Sequence, residues 1–158
     1  MGRNRGDSLS IGFTVSGEGY GDTMCFSLDN KTLYISDGIA EIRYSDLCNV
    51  LSAYKIEEIC LPPSLKVIHD HTFFDFPEIK QIYIPETVKH IGTQAFWGLD
   101  NLEALTLPRT VLFVGKHAFC NCRKLKLTIL GKEENLPKGW DAEFAVNIGC
   151  ISFKEPKR

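Results

Sequence analysis

One pattern is written three times in succession: IEEICLPPSLKVIHDHTFFDFPE over residues 56–78, IKQIYIPETVKHIGTQAFWGLDN over 79–101 and LEALTLPRTVLFVGKHAFCNCRK over 102–124. The copies are 23 residues long and align without gaps. Ile56, Ile79 and Leu102 correspond, as do Ile59, Ile82 and Leu105. Leu61, Ile84 and Leu107 follow, each preceding a proline, at 62, 85 and 108. Leu65, Val88 and Val111, then Ile68, Ile91 and Val114, then Phe73, Phe96 and Phe119 complete the set. A unit this short cannot bury its apolar side alone, so the copies must stack on one another. A β-rich solenoid is therefore predicted.

Within each copy, Ile-x-Ile followed by proline reads as a brief strand, since proline cannot donate to the next ladder bond. Alternation places Ile82 and Ile84 on one face and Gln81, Tyr83 and Pro85 on the other. The second half, IGTQAFWGLD in the middle copy, spaces Ile91, Ala95, Phe96 and Leu99 as one or two helical turns would, predicting a short helical or 3₁₀ return. Stacked strands then form one short parallel sheet. Two irregular copies flank the regular ones: LYISDGIAEI at 33–42 and LKLTILG at 125–131, the latter pairing Leu127 with Leu105 and Ile129 with Leu107 when one residue is dropped.

CFSLDNKTLYI before the repeats reads as a hairpin turning at Asp29-Asn30, an N-terminal cap over residues 24–35. The predicted layout is a tail over 1–10, one domain over 11–153 with repeats over about 33–131 and a C-terminal cap over 132–153, and a second tail over 154–158. The cap carries Trp140, Phe144, Val146, Ile148, Ile151 and Phe153, enough apolar bulk to cover the last rung.

Ile-x-Ile-Pro, then Val-x-x-Ile-Gly, then Ala-Phe-x-x-Cys, as in IYIPETVKHIGTQAFWGL and LTLPRTVLFVGKHAFCNC, resembles the BspA-like leucine-rich repeats, closely over residues 56–122. The first regular copy departs from that pattern, with His69 where glycine is usual and Thr72 where alanine is usual. The resemblance implies a curved leucine-rich-repeat solenoid of the α/β type. It also implies membership in a group made up mostly of surface or secreted adhesion and binding proteins, with no catalytic residues.

A formal charge of −2 supplies no field to recruit nucleic acid or anionic lipid. The longest apolar runs are strand-sized, so no membrane insertion is expected. The N-terminus lacks the apolar stretch of a secretory signal, so a cytoplasmic location is expected, or a secreted or surface one if a leader has been removed. Six cysteines sit in a chain long enough not to need staples, so free thiols are expected.

The predicted partner-binding surface is the outward face of the strands. Tyr34, Cys60, Tyr83, Thr106 and Thr128 form its central column, flanked by Glu58, Gln81, Ala104 and Lys126. At about 4.8 Å per rung the strip is roughly 20 to 25 Å long, which suits a protein loop or peptide. Tyrosine at two stations adds apolar area and a hydroxyl at small entropic cost. A monomer or weak self-association is expected.

Phe73, Phe96 and Phe119 recur at every turn and are assigned to an internal spine. Cys122 shares the station of Phe76 and Leu99, which makes it a buried thiol. His69-Asp70-His71 offers two metal ligands without a third and reads as solvated turn residues. His117 with Cys120 and Cys122 lacks the third group that a nucleophile and base require. Gly17-Glu-Gly19-Tyr-Gly21 precedes a strand and reads as a loop. Arg5-Gly6-Asp7 is near chance, and Asn30-Lys31-Thr32 is a sequon only in a secretory pathway. Lys116, Arg123, Lys124 and Lys126 lack interleaved aromatics and read as a solvated flank. No metal, cofactor or catalytic residue is called for, and a non-catalytic protein-binding module is expected. The alternatives are a self-assembling surface or adhesion protein and, less favoured, a cysteine-dependent enzyme.

Overall fold

The computed structural model describes residues 24–27, 29 and 31–155 of the 158-residue chain. The elements are β1 (Met24–Phe26), β2 (Thr32–Ile35), β3 (Glu41–Ile42), α1 (Tyr44–Ala53), β4 (Glu58–Cys60), β5 (Val67–Ile68), β6 (Gln81–Tyr83), β7 (His90–Ile91), β8 (Ala104–Leu107), β9 (Phe113–Val114), β10 (Lys126–Leu130), a 3₁₀ turn (Glu133–Asn135), β11 (Gly139–Trp140) and β12 (Cys150–Lys154). β1 and β2 pair antiparallel as a hairpin. The N-terminal tail, the Arg5-Gly6-Asp7 tripeptide, the Gly17–Gly21 loop and Asn30, in the hairpin turn and the sequon, lie outside the described residues.

Every other pairing is parallel, because each strand is reached from its predecessor by a full coil. The Ile-x-Ile strands stack as expected: Leu33 opposes Ile59 and Ile59 opposes Ile82. Leu105 opposes Leu127, the pairing that one dropped residue requires. The solenoid differs from the sequence reading in having two parallel walls. The Val-x-x-Ile half of each copy makes a second sheet, ordered β3, β5, β7, β9, β11, with Ile42, Ile68, Ile91 and Val114 in one inward row.

The regular returns are stacked turns, where a short helical or 3₁₀ segment was expected. His71, Gln94 and His117, at one station, have φ of 58°, 52° and 55°, and Asp75, Gly98 and Asn121, at the next, have 59°, 73° and 59°. Left-handed backbone every fourth residue stops a helix from propagating. Alternate amides are thereby turned along the solenoid axis. The Phe73 N–H donates to the Ala95 carbonyl at 2.8 Å, Phe96 to Ala118 at 2.8 Å and Phe119 to Phe144 at 2.8 Å. Only the first return is helical. Leu33 to Ile59 spans 26 residues, and the extra length houses α1, whose Leu47, Val50 and Leu51 are buried.

Inside, Phe73, Phe96 and Phe119 are fully buried, with ring centroids 5.1 and 5.0 Å apart in successive stacked pairs. The spine is the expected one. His69 and Thr72 are explained by α1. Where coil stacks on coil, Gly115 lies so close to its predecessor that an added Cβ would sit 2.5 Å from the Thr93 nitrogen. His69 follows a coil that has turned into helix at Tyr44, so it has room for a side chain. The buried Thr72 hydroxyl, in the same place, reaches the carbonyls of His69 at 2.8 Å and Ile42 at 3.2 Å.

The C-terminal cap is built as one more coil. β11 extends the second sheet and β12 the first, and Val146 and Phe144 join the turn ladder. Lys154, assigned from sequence to a tail, is the last residue of β12 and pairs with Leu130.

Candidate functional site

The strip predicted from the strand phase exists, with one interruption. Tyr34 pairs with Cys60 and Cys60 with Tyr83, while Glu58 pairs with Thr32 and Gln81 at the flank. Thr106 pairs with Thr128 and Ala104 with Lys126. Tyr34 is 45% and Tyr83 63% exposed, and Gln81, Thr106 and Lys126 are exposed. Cys60, Glu58 and Thr128 are half-buried. Burial, with smaller contributions from Cys60 and Glu58, raises the Tyr34 hydroxyl above its ordinary pKa, and burial followed by Glu58 does the same to the Cys60 thiol. Both groups are therefore neutral hydrogen-bonding groups at pH 7. Glu57 bridges three coils at the border, 3.2 Å from Lys31 and 2.9 Å from Lys80; these contacts hold its carboxyl below the usual range.

The interruption falls between Tyr83 and Thr106. β6 ends one sheet (β1, β2, β4, β6) and β8 begins another (β8, β10, β12). The strands stay within 8 Å, but no ladder joins them. The Gln81 N–H donates to the Glu57 carbonyl at 3.1 Å and that of Lys126 to Glu103 at 2.8 Å, whereas Ala104 has no such bond to Lys80. A groove of about 560 Å³ opens there, lined by Tyr83, Ile84, Ala104, Thr106, Pro108 and Leu130, with Lys80 and Glu103 beside it. It offers apolar walls, an exposed tyrosine edge and backbone groups without ladder partners, a combination suited to an extended polypeptide segment.

The remaining candidates do not converge. His69 contacts Glu41 at 2.9 Å, Asp70 accepts the Thr93 N–H at 2.8 Å and His71 contacts Gln94 at 2.8 Å, so the triplet points to three different neighbours. His117 lies 3.4 Å from Glu143 and packs by the Trp97 ring, not against a thiol. Cys120 accepts the Val146 N–H at 3.0 Å and faces the Glu143 carbonyl, and burial raises its pKa. Cys122, fully buried and donating to the Phe96 carbonyl, is pushed up to about 11, chiefly by burial. These are packed thiols, not activated ones. Cys48, Cys60, Cys120, Cys122 and Cys150 are free. Among the described residues no three His, Cys, Asp or Glu side chains gather as a metal would require, and no helix is long and apolar enough to cross a membrane.

A second exposed patch, on the other sheet, was not anticipated. Leu112 is 59% and Phe113 40% exposed, and the Phe113 ring stacks on His90 at 4.3 Å. Gly139 packs close on the same segment, where an added Cβ would lie 2.7 Å from the Leu112 carbonyl oxygen. The signal was present: at the stations occupied by Lys66-Val67 and Lys89-His90, the third copy writes Leu112-Phe113.

Two walls of in-register parallel strands, a turn ladder and an aromatic spine define a leucine-rich-repeat solenoid. Residues 23–135 match the BspA type leucine rich repeat region in six copies, and the chain belongs to that family. Among solved structures it is similar to a leucine-rich repeat protein of Bacteroides ovatus. That match has 21% identity and a TM-score of 0.51, over 76% of this chain and 41% of the other. The chain thus spans about two fifths of that protein's length. It also matches a T. pallidum leucine-rich repeat protein at 17% identity and a TM-score of 0.42, covering 82% and 81% of the two chains. No curated protein matches significantly.

Proposed function

We propose that this chain is a non-catalytic binding module that holds an extended segment of a protein partner along the outward face of the Tyr34–Thr128 strip, anchored at the groove beside Tyr83. The observation that carries the reading is the coincidence of the most exposed of the described tyrosines with the break in the ladder between β6 and β8. Families of this repeat commonly serve as interaction or adhesion modules, which supports the class of function and leaves the partner open. Aromatic anchors in a desolvated groove dominate such interfaces, and a segment lying across neutral hydroxyl, thiol and amide groups meets little desolvation cost.

The test selects peptides from a displayed library on the folded protein. Affinities are then compared for wild type, Tyr83→Ala, Thr106→Lys and, as a control on the opposite sheet, Phe113→Ala. Loss of a central aromatic anchor weakens binding by about tenfold or more. Circular dichroism checks that each variant is folded. Strip variants that bind like wild type, or a loss confined to Phe113→Ala, would overturn the assignment.

A further inference from the structure

On the wall opposite the strip, two columns of side chains face outward, one residue from each coil. Glu41, Val67, His90, Phe113 and Gly139 share one register. The residues just before the last four, Lys66, Lys89, Leu112 and Lys138, are all exposed. The Lys89 N–H donates to the Lys66 carbonyl at 2.9 Å and that of Leu112 to the Lys89 carbonyl at 2.8 Å, which keeps the second column in line. Leu112 and Phe113, both exposed, form an apolar centre in which Phe113 stacks on His90.

The charges around that centre are unbalanced. Among the described residues Lys66, Lys89 and Lys138 make no ion pair, whereas Lys31, Lys80, Lys116 and Lys132 each make at least one. The acids bordering this wall are already engaged. Glu41 holds Arg43 at 2.8 Å and His69 at 2.9 Å, Asp70 accepts the Thr93 N–H at 2.8 Å and Glu143 holds Lys116 at 3.0 Å. We propose that this wall docks an acidic polypeptide segment of a partner protein. One apolar side chain of the segment seats on Leu112 and Phe113, and carboxylates on either side of it reach Lys89 and Lys138, with Lys66 beyond.

Coils are about 4.8 Å apart, so Lys89 and Lys138 stand one coil to either side of Leu112, and Lys66 two coils before it. In an extended segment, residues two apart lie about 7 Å apart, and the flexible lysine stems take up the difference of about 2 Å. The complementary order along the solenoid axis is acid, spacer, apolar, spacer, acid. The same layout selects among anionic partners. Two apolar side chains on one coil seat one anchoring residue, not the broad apolar face that lies on a membrane. Three unpaired lysines on a chain of net charge −2 neutralise few phosphates, and nucleic-acid affinity grows with their number. A second copy seated two-fold on this patch would set lysines against lysines. The surface belongs to the other sheet from the Tyr34–Thr128 strip and is free to be occupied while the strip is filled.

The probe is the N-acetylated, C-amidated peptide Gly-Glu-Ser-Glu-Ser-Phe-Ser-Glu-Gly, titrated into isotopically labelled protein and followed by backbone amide NMR signals. Saturable shifts are expected at Lys89, Leu112 and Phe113, and none from a counterpart with glutamine at every acidic position. Phe113→Ser, which removes the apolar anchor, and the double variant Lys89→Glu, Lys138→Glu, which reverses the charge, should each weaken binding about tenfold or more. Added salt should weaken the wild-type complex. Circular dichroism checks that each variant is folded. Tyr83→Ala, which removes the anchor of the strip, should leave this binding unchanged, so the two faces are tested separately. Absence of saturable shifts overturns the proposal, as do shifts confined to the Tyr83 groove, equal shifts from the glutamine peptide, or binding that survives the charge reversal. So does a wild-type dimer that Phe113→Ser abolishes, or capture by phosphatidylserine vesicles or oligothymidylate that the peptide fails to displace.

Discussion

Replacing Phe96 by alanine tests the physical basis of the stack. Its ring is fully buried between Phe73 and Phe119, at 5.1 and 5.0 Å, so the alanine variant leaves a cavity bounded by two other rings. Buried Phe→Ala costs about 3–5 kcal/mol, and each of the two aromatic pairs contributes about 0.5–1.5 kcal/mol beyond area, so the loss is set at about 4–8 kcal/mol. Domains of this size have about 5–15 kcal/mol in total, so the variant should fold marginally. Phe74 is the control: the same residue type, next to Phe73 in the preceding coil, half-buried and stacked on Trp97 at 6.2 Å. Phe74→Ala should cost about 1–2 kcal/mol, because most of what is removed already meets solvent. Urea titrations followed by tryptophan fluorescence and circular dichroism give both values. Phe96 lies in the return between β7 and β8, where the first sheet is already split, so its removal should also make the two halves unfold out of step and lower the apparent m-value. A Phe96→Ala cost below about 2 kcal/mol, or one equal to that of Phe74→Ala, would refute the view that the spine rather than the strands holds the coils together.

Gly115→Ala should destabilise by about 2 kcal/mol or more, measured by thermal melting, because the added Cβ meets the Thr93 backbone at 2.5 Å and no flexible side chain can yield. The Ala104 amide should exchange its hydrogen at least about tenfold faster than Gln81 or Lys126, whose N–H groups are bonded to the preceding coil. Equal protection across all three would argue against an open groove. Burial, then the charge of His69, lowers the His90 pKa from its ordinary 6.5. A base with a depressed folded pKa binds fewer protons than in the unfolded chain, so its stabilisation is intact above 6.5 and lost as pH falls toward the folded value. His90→Gln should flatten that part of the pH–stability curve, and an unchanged slope would remove His90 as the cause. Among the described thiols, iodoacetamide should label exposed Cys150 first and Cys122 only on denaturation, as peptide mass mapping would show.

The front wall was legible because Ile-x-Ile-Pro states its own phase: once Ile59, Ile82 and Leu105 align, the outward residues between them are fixed. The second wall was hidden by its brevity. Two-residue strands such as His90–Ile91 contain no alternation to detect, and their existence follows from stacking rather than local preference. The turn ladder was hidden for a different reason. His71, Gln94 and His117 share a left-handed station without sharing a residue type, and the bonds that hold the turn open come from the next coil. α1 lies in the return between Ile42 and Ile59, whose extra length sets it outside the repeat, so the period carried no information about it. His69 and Thr72 were visible as departures, and only the helix beside them shows why they are permitted.

The split between structural and recognition residues follows from the same stacking. A side chain repeated at every coil, as phenylalanine is at 73, 96 and 119, meets the same environment each time and serves continuity. It cannot distinguish one partner from another, because every coil presents it alike and inward. Specificity must reside where the period fails on an exposed station. The outward column reads Tyr34, Cys60, Tyr83, Thr106, Thr128: aromatic at two of the three stations before the break, small and hydroxylic at both stations after it. The change of size falls at the β6–β8 junction, so Tyr83 overhangs a groove whose far wall is low. A ladder joined across that junction would draw the two strands to ordinary sheet spacing and close the space on which Tyr83 borders. On the proposed function, recognition at this face would depend on the missing bonds as much as on the side chains, and a variant that restored them would be more stable and bind less.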